Sequence, residues 1–328
     1  MELHMPLVRM IWMGGIRVCG VVFALVRRSE IDVRILVASG VILALVGLSS
    51  CKHGTTGPDG PLPGGSTEVN VPWSSLANSA WPTFAHDFQH TGRSPFIGPQ
   101  KGELDWFFET GDQVQSSPVI DQAGRVLVPS LDNHLFAITS LGALAWKFDL
   151  GSPSAALTTV ASDGTVYACP PVGGIFYALN SGGGAEWGFQ VGGEAAFGAP
   201  VLSQDGEVIY FAARDSTDAS TLGYFYSLFA LRKDGTVKWK FTPPGHDLTA
   251  HAPAISPDGR TLYCPGYGRP EAALYAVDTS GNLRWRYSVS TTNSAVSGTS
   301  SPSLDNAGNL YFAGGGTLYS ITSAGAPR

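Results

Sequence analysis

In the last two thirds of the chain, apolar residues fall in short runs that are separated by turns rich in Gly and Asp. The run Thr165-Val166-Tyr167-Ala168, for example, follows the turn Ser162-Asp163-Gly164. Runs of this length with β-branched and aromatic residues predict strands, and Asp-Gly favours the tight turn of a hairpin. In Ala145-Trp146-Lys147-Phe148 the two aromatic residues are two positions apart and therefore share one face. The pattern predicts an all-β fold.

The strands recur in a unit that ends with the spacing Ala-x4-Gly-x3-Trp. Its copies are Ala137/Gly142/Trp146, Ala178/Gly183/Trp187, Ala230/Gly235/Trp239 and Ala276/Gly281/Trp285, and a fifth begins at Ser320/Gly325. A second turn glycine precedes each copy, at Gly124, Gly164, Gly206, Gly259 and Gly308. A period of about 40 to 53 residues with four strands and an aromatic anchor is typical of a β-propeller blade.

These units resemble the blades of the pyrroloquinoline-quinone-type (PQQ-like) propeller family, whose repeat ends in Ala-x-Asp-x-x-Gly-x-x-x-Trp. The stretch that begins at Trp81-Pro82 and continues through Asp87 to Thr91-Gly92 also resembles the lead-in of that family. The resemblance covers the chain from about Trp81 onward and implies the fold rather than an activity, since the family mixes enzymes with non-enzymes.

The number of blades depends on how the two ends of the repeat array meet. Leu104-Asp105-Trp106-Phe107-Phe108 has the pattern of a fourth strand without the preceding three, and the last unit has three strands without a fourth. We predict that the strand of Trp106 completes the last blade, which closes a ring of five blades and removes two exposed sheet edges. The alternative is an array that lacks further blades. Blade anchors in this interpretation are Trp106, Trp146, Trp187, Trp239 and Trp285.

The front of the chain has the pattern of an exported lipoprotein. An apolar run, residues 35–48, precedes Leu48-Ser49-Ser50-Cys51, which resembles a lipobox and implies lipidation of Cys51. We predict a leader over residues 1–51, a flexible tether over 52–80 and the propeller over 81–328. The alternatives are an uncleaved anchor helix and a translation start near Val33.

Composition excludes some classes of function. The chain has 328 residues, 41 of them Gly, and a formal net charge of −6 without a basic stripe, which argues against nucleic-acid binding. Cys169 and Cys264 are expected to face opposite sides of their blades as separate buried thiols.

Long connections between strands concentrate at one end of the predicted blades, whereas the tight turns lie at the other. We expect that end to be an interaction face because loops on a rigid scaffold often carry function, although tolerated insertions are an equal alternative. Its candidate residues are Arg214, Asp215, Asp218, Tyr224, His246, Asp247, His251, Tyr267, Arg269 and Glu271. The His and Asp spacings at 246–251 and at 86–90 match no closed metal site, and the second set is expected to clamp the lead-in.

No catalytic residue, cofactor or metal is predicted. The family's dehydrogenases use a quinone, Ca²⁺ and a vicinal cysteine pair, and this chain has no adjacent cysteines. We therefore predict a non-enzymatic lipoprotein of the cell envelope that acts as a protein-interaction scaffold, similar in kind to the propeller lipoprotein of the outer-membrane barrel-assembly machinery. Lys52 after Cys51 favours the outer membrane. A carbohydrate-binding propeller is the alternative, and a quinone-dependent dehydrogenase is less favoured.

Overall fold

The computed structural model describes residues 71–96, 101–154, 157–168, 170, 174–191, 198–214, 226–243, 247–249, 251–268, 271–290 and 297–328. Contacts divide the chain into two compact units, Met1–Pro63 and Gly64–Arg328, and all the described residues belong to the second. The predicted leader, Cys51 and Cys169 lie outside the described residues. Where the structure describes the chain it contains strands and no α-helix, so that part offers no helix that could cross a membrane.

The strands follow one another in a repeating order along the chain. They are β1 (Val119–Ile120), β2 (Val126–Pro129), β3 (His134–Ile138), β4 (Leu144–Asp149), β5 (Thr158–Val160), β6 (Val166–Ala168), β7 (Ile175–Leu179), β8 (Ala185–Gln190), β9 (Val201–Leu202), β10 (Val208–Arg214), β11 (Tyr226–Arg232), β12 (Val237–Phe241), β13 (Asp247–Leu248), β14 (Ala254–Ile255), β15 (Thr261–Gly268), β16 (Glu271–Asp278), β17 (Leu283–Ser290), β18 (Ser297–Gly298), β19 (Ser303–Leu304), β20 (Leu310–Gly314) and β21 (Thr317–Ile321).

These strands form antiparallel sheets that we number blades 1 to 5. Blades 1 to 3 are the four-stranded sheets β1–β4, β5–β8 and β9–β12, each in simple meander order. Blade 4 consists of β14–β17 with the two short strands β13 and β18 added to β15, and blade 5 is the three-stranded sheet β19–β21. The predicted all-β architecture with a four-stranded repeat is therefore confirmed.

The repeat glycine is required by the turn and by the neighbouring blade. Gly183 adopts a φ of 85°, a conformation that glycine takes without strain. A Cβ at this position would come within 2.5 Å of the indole of Trp146 in the preceding blade. The same indole donates its Nε1 hydrogen to the carbonyl of Ser181, at 3.1 Å. Trp and Gly of the repeat thus join one blade to the next.

The same joint recurs at each predicted anchor. The indole Nε1 donates to a carbonyl in the following blade at 2.9 to 3.1 Å, in the pairs Trp106 to Ser140, Trp146 to Ser181, Trp187 to Lys233, Trp239 to Thr279 and Trp285 to Ser323. The repeat alanine lies opposite the indole in its own blade, as Ala137 does opposite Trp146, and it is fully buried.

The predicted closing strand is not formed in this structure. Trp106 packs on blade 1 as a preceding blade's anchor would, but residues 104–109 have no strand conformation. Within the described part of the chain, β21 pairs with β20 and, at one bridge, with Pro327. The first positions of a fourth strand are therefore held by residues 327–328. The predicted pairing of β21 with the strand of Trp106 is wrong for this structure.

Candidate interaction surfaces

One segment, residues 71–96, lies among the first strands of all five sheets, and we call it the hub. Its backbone carbonyls accept hydrogen bonds from equivalent residues of four blades: Trp81 from Ile120 at 2.7 Å, Pro82 from Val160 at 2.9 Å, Phe88 from Ile255 at 3.0 Å and Gln89 from Leu304 at 2.8 Å. In blade 3 the direction is reversed, because the indole of Trp73 donates to the carbonyl of Leu202 at 3.0 Å. The first strands of the five sheets therefore surround the hub.

The side chains of the hub fill the space between those strands. Phe88 is 1% exposed and its ring meets that of Trp73 edge-on, with centroids 5.7 Å apart. Both belong to the largest apolar cluster of the structure, together with strand residues of blades 2, 3 and 4. Residues 71–80, which the sequence placed in the tether, are thus partly packed into the body, and the boundary at residue 81 falls too late.

The polar residues of the hub hold its own turn and its contact with blade 5. Asp87 accepts hydrogen bonds from the backbone of Gln89 and from both the backbone and the hydroxyl of Thr91. His90 is buried, and its Nδ1 lies 2.8 Å from the carbonyl of Pro302 at the start of blade 5. The contacts agree with the expected clamp.

Burial and hydrogen bonding shift the pKa values of these two residues. Burial alone would raise the pKa of Asp87, but the hydrogen bonds from His86 and Thr91 outweigh it and hold the pKa below the ordinary value. Burial lowers the pKa of His90, and the Pro302 carbonyl opposes this only in part.

Among the described residues, no group of three His, Cys, Asp or Glu side chains is arranged to hold a metal ion.

Within the part of the chain that the structure describes, the end of the blades with the long connections has its largest addition at blade 4. Beyond the regular sheet, Tyr267 of β15 pairs with Asp247 of β13 on one side and with Gly298 of β18 on the other. The side chain of Tyr267 is 40% exposed in the middle of these three strands. The connections before β14 and after β17 therefore form extra sheet in which a large aromatic side chain faces solvent.

A buried threonine holds these additional strands. Thr299 is fully buried, and its Oγ1 accepts a hydrogen bond from the backbone of Gly266 at 3.0 Å. Its carbonyl lies 3.0 Å from Nδ1 of His251, a residue that remains exposed. Leu248 of β13 is also buried in the main apolar cluster. Thr299 was absent from the sequence-based candidates, since an isolated threonine carries no pattern.

The structure describes some of the other residues predicted for the long-connection face and not the rest. Arg214 ends β10, where its backbone pairs with Tyr226, and its side chain is half-buried. For Asp247 and Glu271 the structure describes the backbone in β13 and β16. The remaining candidates lie outside the described residues: Asp215, Asp218, Tyr224, His246 and Arg269.

The opposite end of the blades carries the tight turns and a charged surface cavity of about 520 Å³ on blade 3. Its lining includes Glu207, Arg232 and Lys233, and Lys233 forms an ion pair with Asp163 of blade 2 at 2.7 Å. The lining carries two acidic and three basic side chains, one of which is paired with Asp163, so the cavity does not select ligands of one charge.

Comparison with known proteins gives a family and several similar folds. A family model described as outer membrane protein assembly factor BamB matches residues 140–326. Comparison with curated protein sequences found no match.

Three solved structures show how far the similarity to known folds extends. BamB from Moraxella catarrhalis is 20% identical with a TM-score of 0.46, and the alignment covers 66% of this chain and 63% of that one. The Dos1 propeller is 12% identical with a TM-score of 0.50, over 63% of this chain and 55% of that one. A streptogramin B lyase is 17% identical with a TM-score of 0.46, over 65% and 67%. This chain therefore spans less than two thirds of the length of that BamB.

Proposed function

Because the chain belongs to the PQQ-like β-propeller family whose model is described as outer membrane protein assembly factor BamB, we propose that it is a non-enzymatic scaffold for protein interactions in the cell envelope. In this proposal a lipid on Cys51 holds the protein at a membrane, with the outer membrane favoured. The proposed partners are envelope proteins, which bind the exterior of the blades.

The observation that carries this proposal is the packed hub. A small substrate or a quinone on the axis of a propeller needs open space between the first strands of the blades. Here Trp73 and Phe88 occupy that space. Backbone hydrogen bonds tie the hub to blades 1, 2, 4 and 5, and the indole of Trp73 ties it to blade 3. Removing the hub would leave buried polar groups of these strands unpaired. The surfaces left for recognition are therefore the exterior ones.

Among the exterior surfaces, the long-connection face of blades 3 and 4 is the best supported. Tyr267 stands on a strand that is paired on both sides, so its backbone is rigid while its ring remains 40% exposed. Tyrosines in such positions often carry a large share of binding energy at protein interfaces. Arg214 and His251 border the same face, and Asp215, Tyr224, His246, Asp247 and Arg269 complete it in the proposal.

A site-specific crosslinking experiment tests the face. A photoreactive phenylalanine analogue replaces Tyr267 in one variant and Leu141 in a matched control, since Leu141 is 86% exposed on a tight turn at the other end of blade 1. After irradiation of intact envelopes, we expect a discrete crosslinked protein band from position 267 and none from position 141. Equal crosslinking at both positions, or none at 267 in lipidated protein, would contradict the proposed face.

Membrane attachment is tested separately by Cys51→Ser. We expect the variant to lose incorporation of labelled palmitate and to leave the membrane fraction. Retention of both label and membrane association would refute lipidation at Cys51 without affecting the proposed face.

The alternative functions receive no comparable support from the described residues. Carbohydrate binding would use exposed indoles, but the five anchor indoles pack on glycine turns and donate their hydrogens to carbonyls of the next blade. That the protein is not an enzyme is part of the proposal.

A further inference from the structure

The first residues of the hub lie at the end of the blades that carries the tight turns, which we call the tight-turn end. Ser75 donates through Oγ to the carbonyl of Ser203 at 2.6 Å, and the backbone of Ser162 donates to the carbonyl of Ser75 at 2.8 Å. Ser162 and Ser203 belong to the turns between the first and second strands of blades 2 and 3. A Cβ on Gly259, in the same turn of blade 4, would lie 3.5 Å from the indole of Trp73. The hub therefore begins against the tight turns of three blades.

The hub reaches the long-connection end only later in the chain. The hydroxyl of Thr83 lies 2.8 Å from that of Thr159, and Nδ1 of His90 lies 2.8 Å from the carbonyl of Pro302. Both partners stand where a first strand begins, and the connection from the preceding blade leads into that point. The chain thus passes from the tight-turn end toward the long-connection end between Trp73 and His90.

This path limits where a lipid on Cys51 can lie. Residues 52–70 separate Cys51 from Val71 and are rich in Gly, Pro, Ser and Thr. As a flexible chain, a segment of this length spans about 25 Å on average. To come level with the long-connection end, it would have to cross the four strands of a blade, about 15 Å, and then follow a strand for about 20 Å. The mean reach of the tether is shorter than that path.

We propose that the lipid on Cys51 turns the tight-turn end toward the membrane, so that the long-connection face of blades 3 and 4 points away from it. This orientation rests on the lipid attachment and on the interaction face of the proposed function. It specifies the partner more closely, because Tyr267 then meets a water-exposed domain of an envelope protein that stands away from the bilayer. A membrane-spanning segment of a partner would lie on the wrong side of the blades.

Charges at the tight-turn end do not provide a second attachment to the membrane. Asp163 forms an ion pair with Lys233 at 2.7 Å, and Asp121 forms one with Arg125 at 2.6 Å. Binding to anionic lipid needs a cluster of basic residues, and here the cations are matched by carboxylates. The orientation is therefore set by the tether, and it should not depend on the salt concentration.

Energy transfer to the membrane surface tests the orientation in the lipidated full chain. An amino acid with an azide side chain, labelled with a donor fluorophore, replaces Leu141 in one variant and Tyr267 in the other. Both side chains are exposed, and Leu141 lies in the tight turn between β3 and β4. In vesicles whose phospholipid headgroups carry the acceptor, we expect higher transfer from position 141 than from position 267, at low and at high salt. Equal transfer, or higher transfer from position 267, would overturn the orientation.

A shortened tether sharpens this comparison. Deletion of residues 55–66 limits the extended reach from Cys51 to Val71 to about 30 Å. We expect transfer from position 141 to rise and to stay above that from position 267, and a reversed order would contradict the proposal. Protein that does not join the vesicles would refute the lipid attachment, and the orientation with it.

The partner is tested through the band crosslinked from position 267 in envelopes. Mass spectrometry should place the crosslinked residue in a water-exposed domain of the partner, and a residue in a membrane-spanning segment would overturn the assignment. If position 267 gives no crosslink, the interaction face is refuted, while energy transfer still decides the orientation.

Discussion

Blades 4 and 5 are made from the same repeat, yet blade 4 is packed on both faces and blade 5 has one face exposed. Leu274 and Leu318 hold the same place on the third strand, and the first is buried while the second is exposed. Among the described residues, blade 4 packs on blade 3 through one face and on blade 5 through the other and has two added strands, whereas the apolar packing of blade 5 is on blade 4.

We infer from this difference that a single blade is not the unit of stability in this fold. A four-stranded blade has two apolar faces, and burial of each requires another blade. The repeat sequence therefore prepares an interface on each side, whether or not a neighbour is present. The consequences are measurable, because the same substitution should cost very different amounts of stability in the two blades.

The largest difference in stability is expected for truncation of the equivalent leucines of the two blades, Leu274 and Leu318. Leu274→Ala removes a fully buried side chain and should lower the free energy of unfolding by about 2–5 kcal/mol. Leu318→Ala changes an exposed side chain and should stay within about 0.5 kcal/mol in a dilute sample of single chains. Urea unfolding followed by tryptophan fluorescence measures both. Equal losses would mean that the exposed face of blade 5 is covered in solution.

A repeat glycine and a glycine of the turn between β20 and β21 offer a smaller contrast in which backbone strain is held constant. Gly183 and Gly316 have φ values of 85° and 82°, so alanine at either costs about 1–2 kcal/mol of backbone strain. A Cβ at Gly183 also meets the indole of Trp146, whereas Gly316 has no neighbour within 4 Å. Gly183→Ala should therefore cost about 1–3 kcal/mol more than Gly316→Ala.

Thermal or urea unfolding of the two glycine variants measures that difference. Recovery of most of the additional loss in a Gly183→Ala/Trp146→Leu double variant would identify the indole as the cause. Equal losses in the two single variants would show that the stacked tryptophan relaxes without cost.

The repeat could be predicted from the sequence because its determinants are local. A positive-φ glycine, an alanine opposite an indole and strands of a few residues all lie within one unit, and the structure places the strands where the spacing predicts. The hub was recognised only from Trp81 onward. Trp73 lies in a stretch rich in Pro and Ser without periodicity, so nothing local indicates that it is buried.

Two features of the candidate surfaces depend on contacts between residues far apart in the chain, which a local sequence pattern does not reveal. The two-residue strands β13 and β18 are set by pairing with the end of β15, and neither has an alternating pattern of its own. The closure between residues 104–109 and β21 was predicted from matching patterns alone. Whether two matching edges meet depends on the summed rotation of the intervening blades, to which every connection contributes.

The smallest expected effect concerns the contact between the hub and blade 5, whose contribution to stability depends on pH. His90 of the hub binds the carbonyl of Pro302, and burial lowers the pKa of its imidazole below the ordinary value of 6.5. The unfolded chain therefore binds more protons here than the folded chain, so stability is present in full above about pH 7 and is lost as the pH falls through the folded pKa. Asp87, which faces this imidazole, stays ionised in that range because its own pKa is lowered.

We expect the free energy of unfolding to fall between pH 7.5 and pH 5, and the fall to be smaller in His90→Gln, which retains a side-chain donor but does not titrate. The comparison concerns the pH dependence of each protein, so a constant loss from the substitution cancels, as do the contributions of the other histidines. Hydrogen exchange should show earlier loss of protection in β19–β21 than in β14–β17, because His90 contacts blade 5. Parallel pH profiles for the two proteins would show that His90 does not link the hub to that blade.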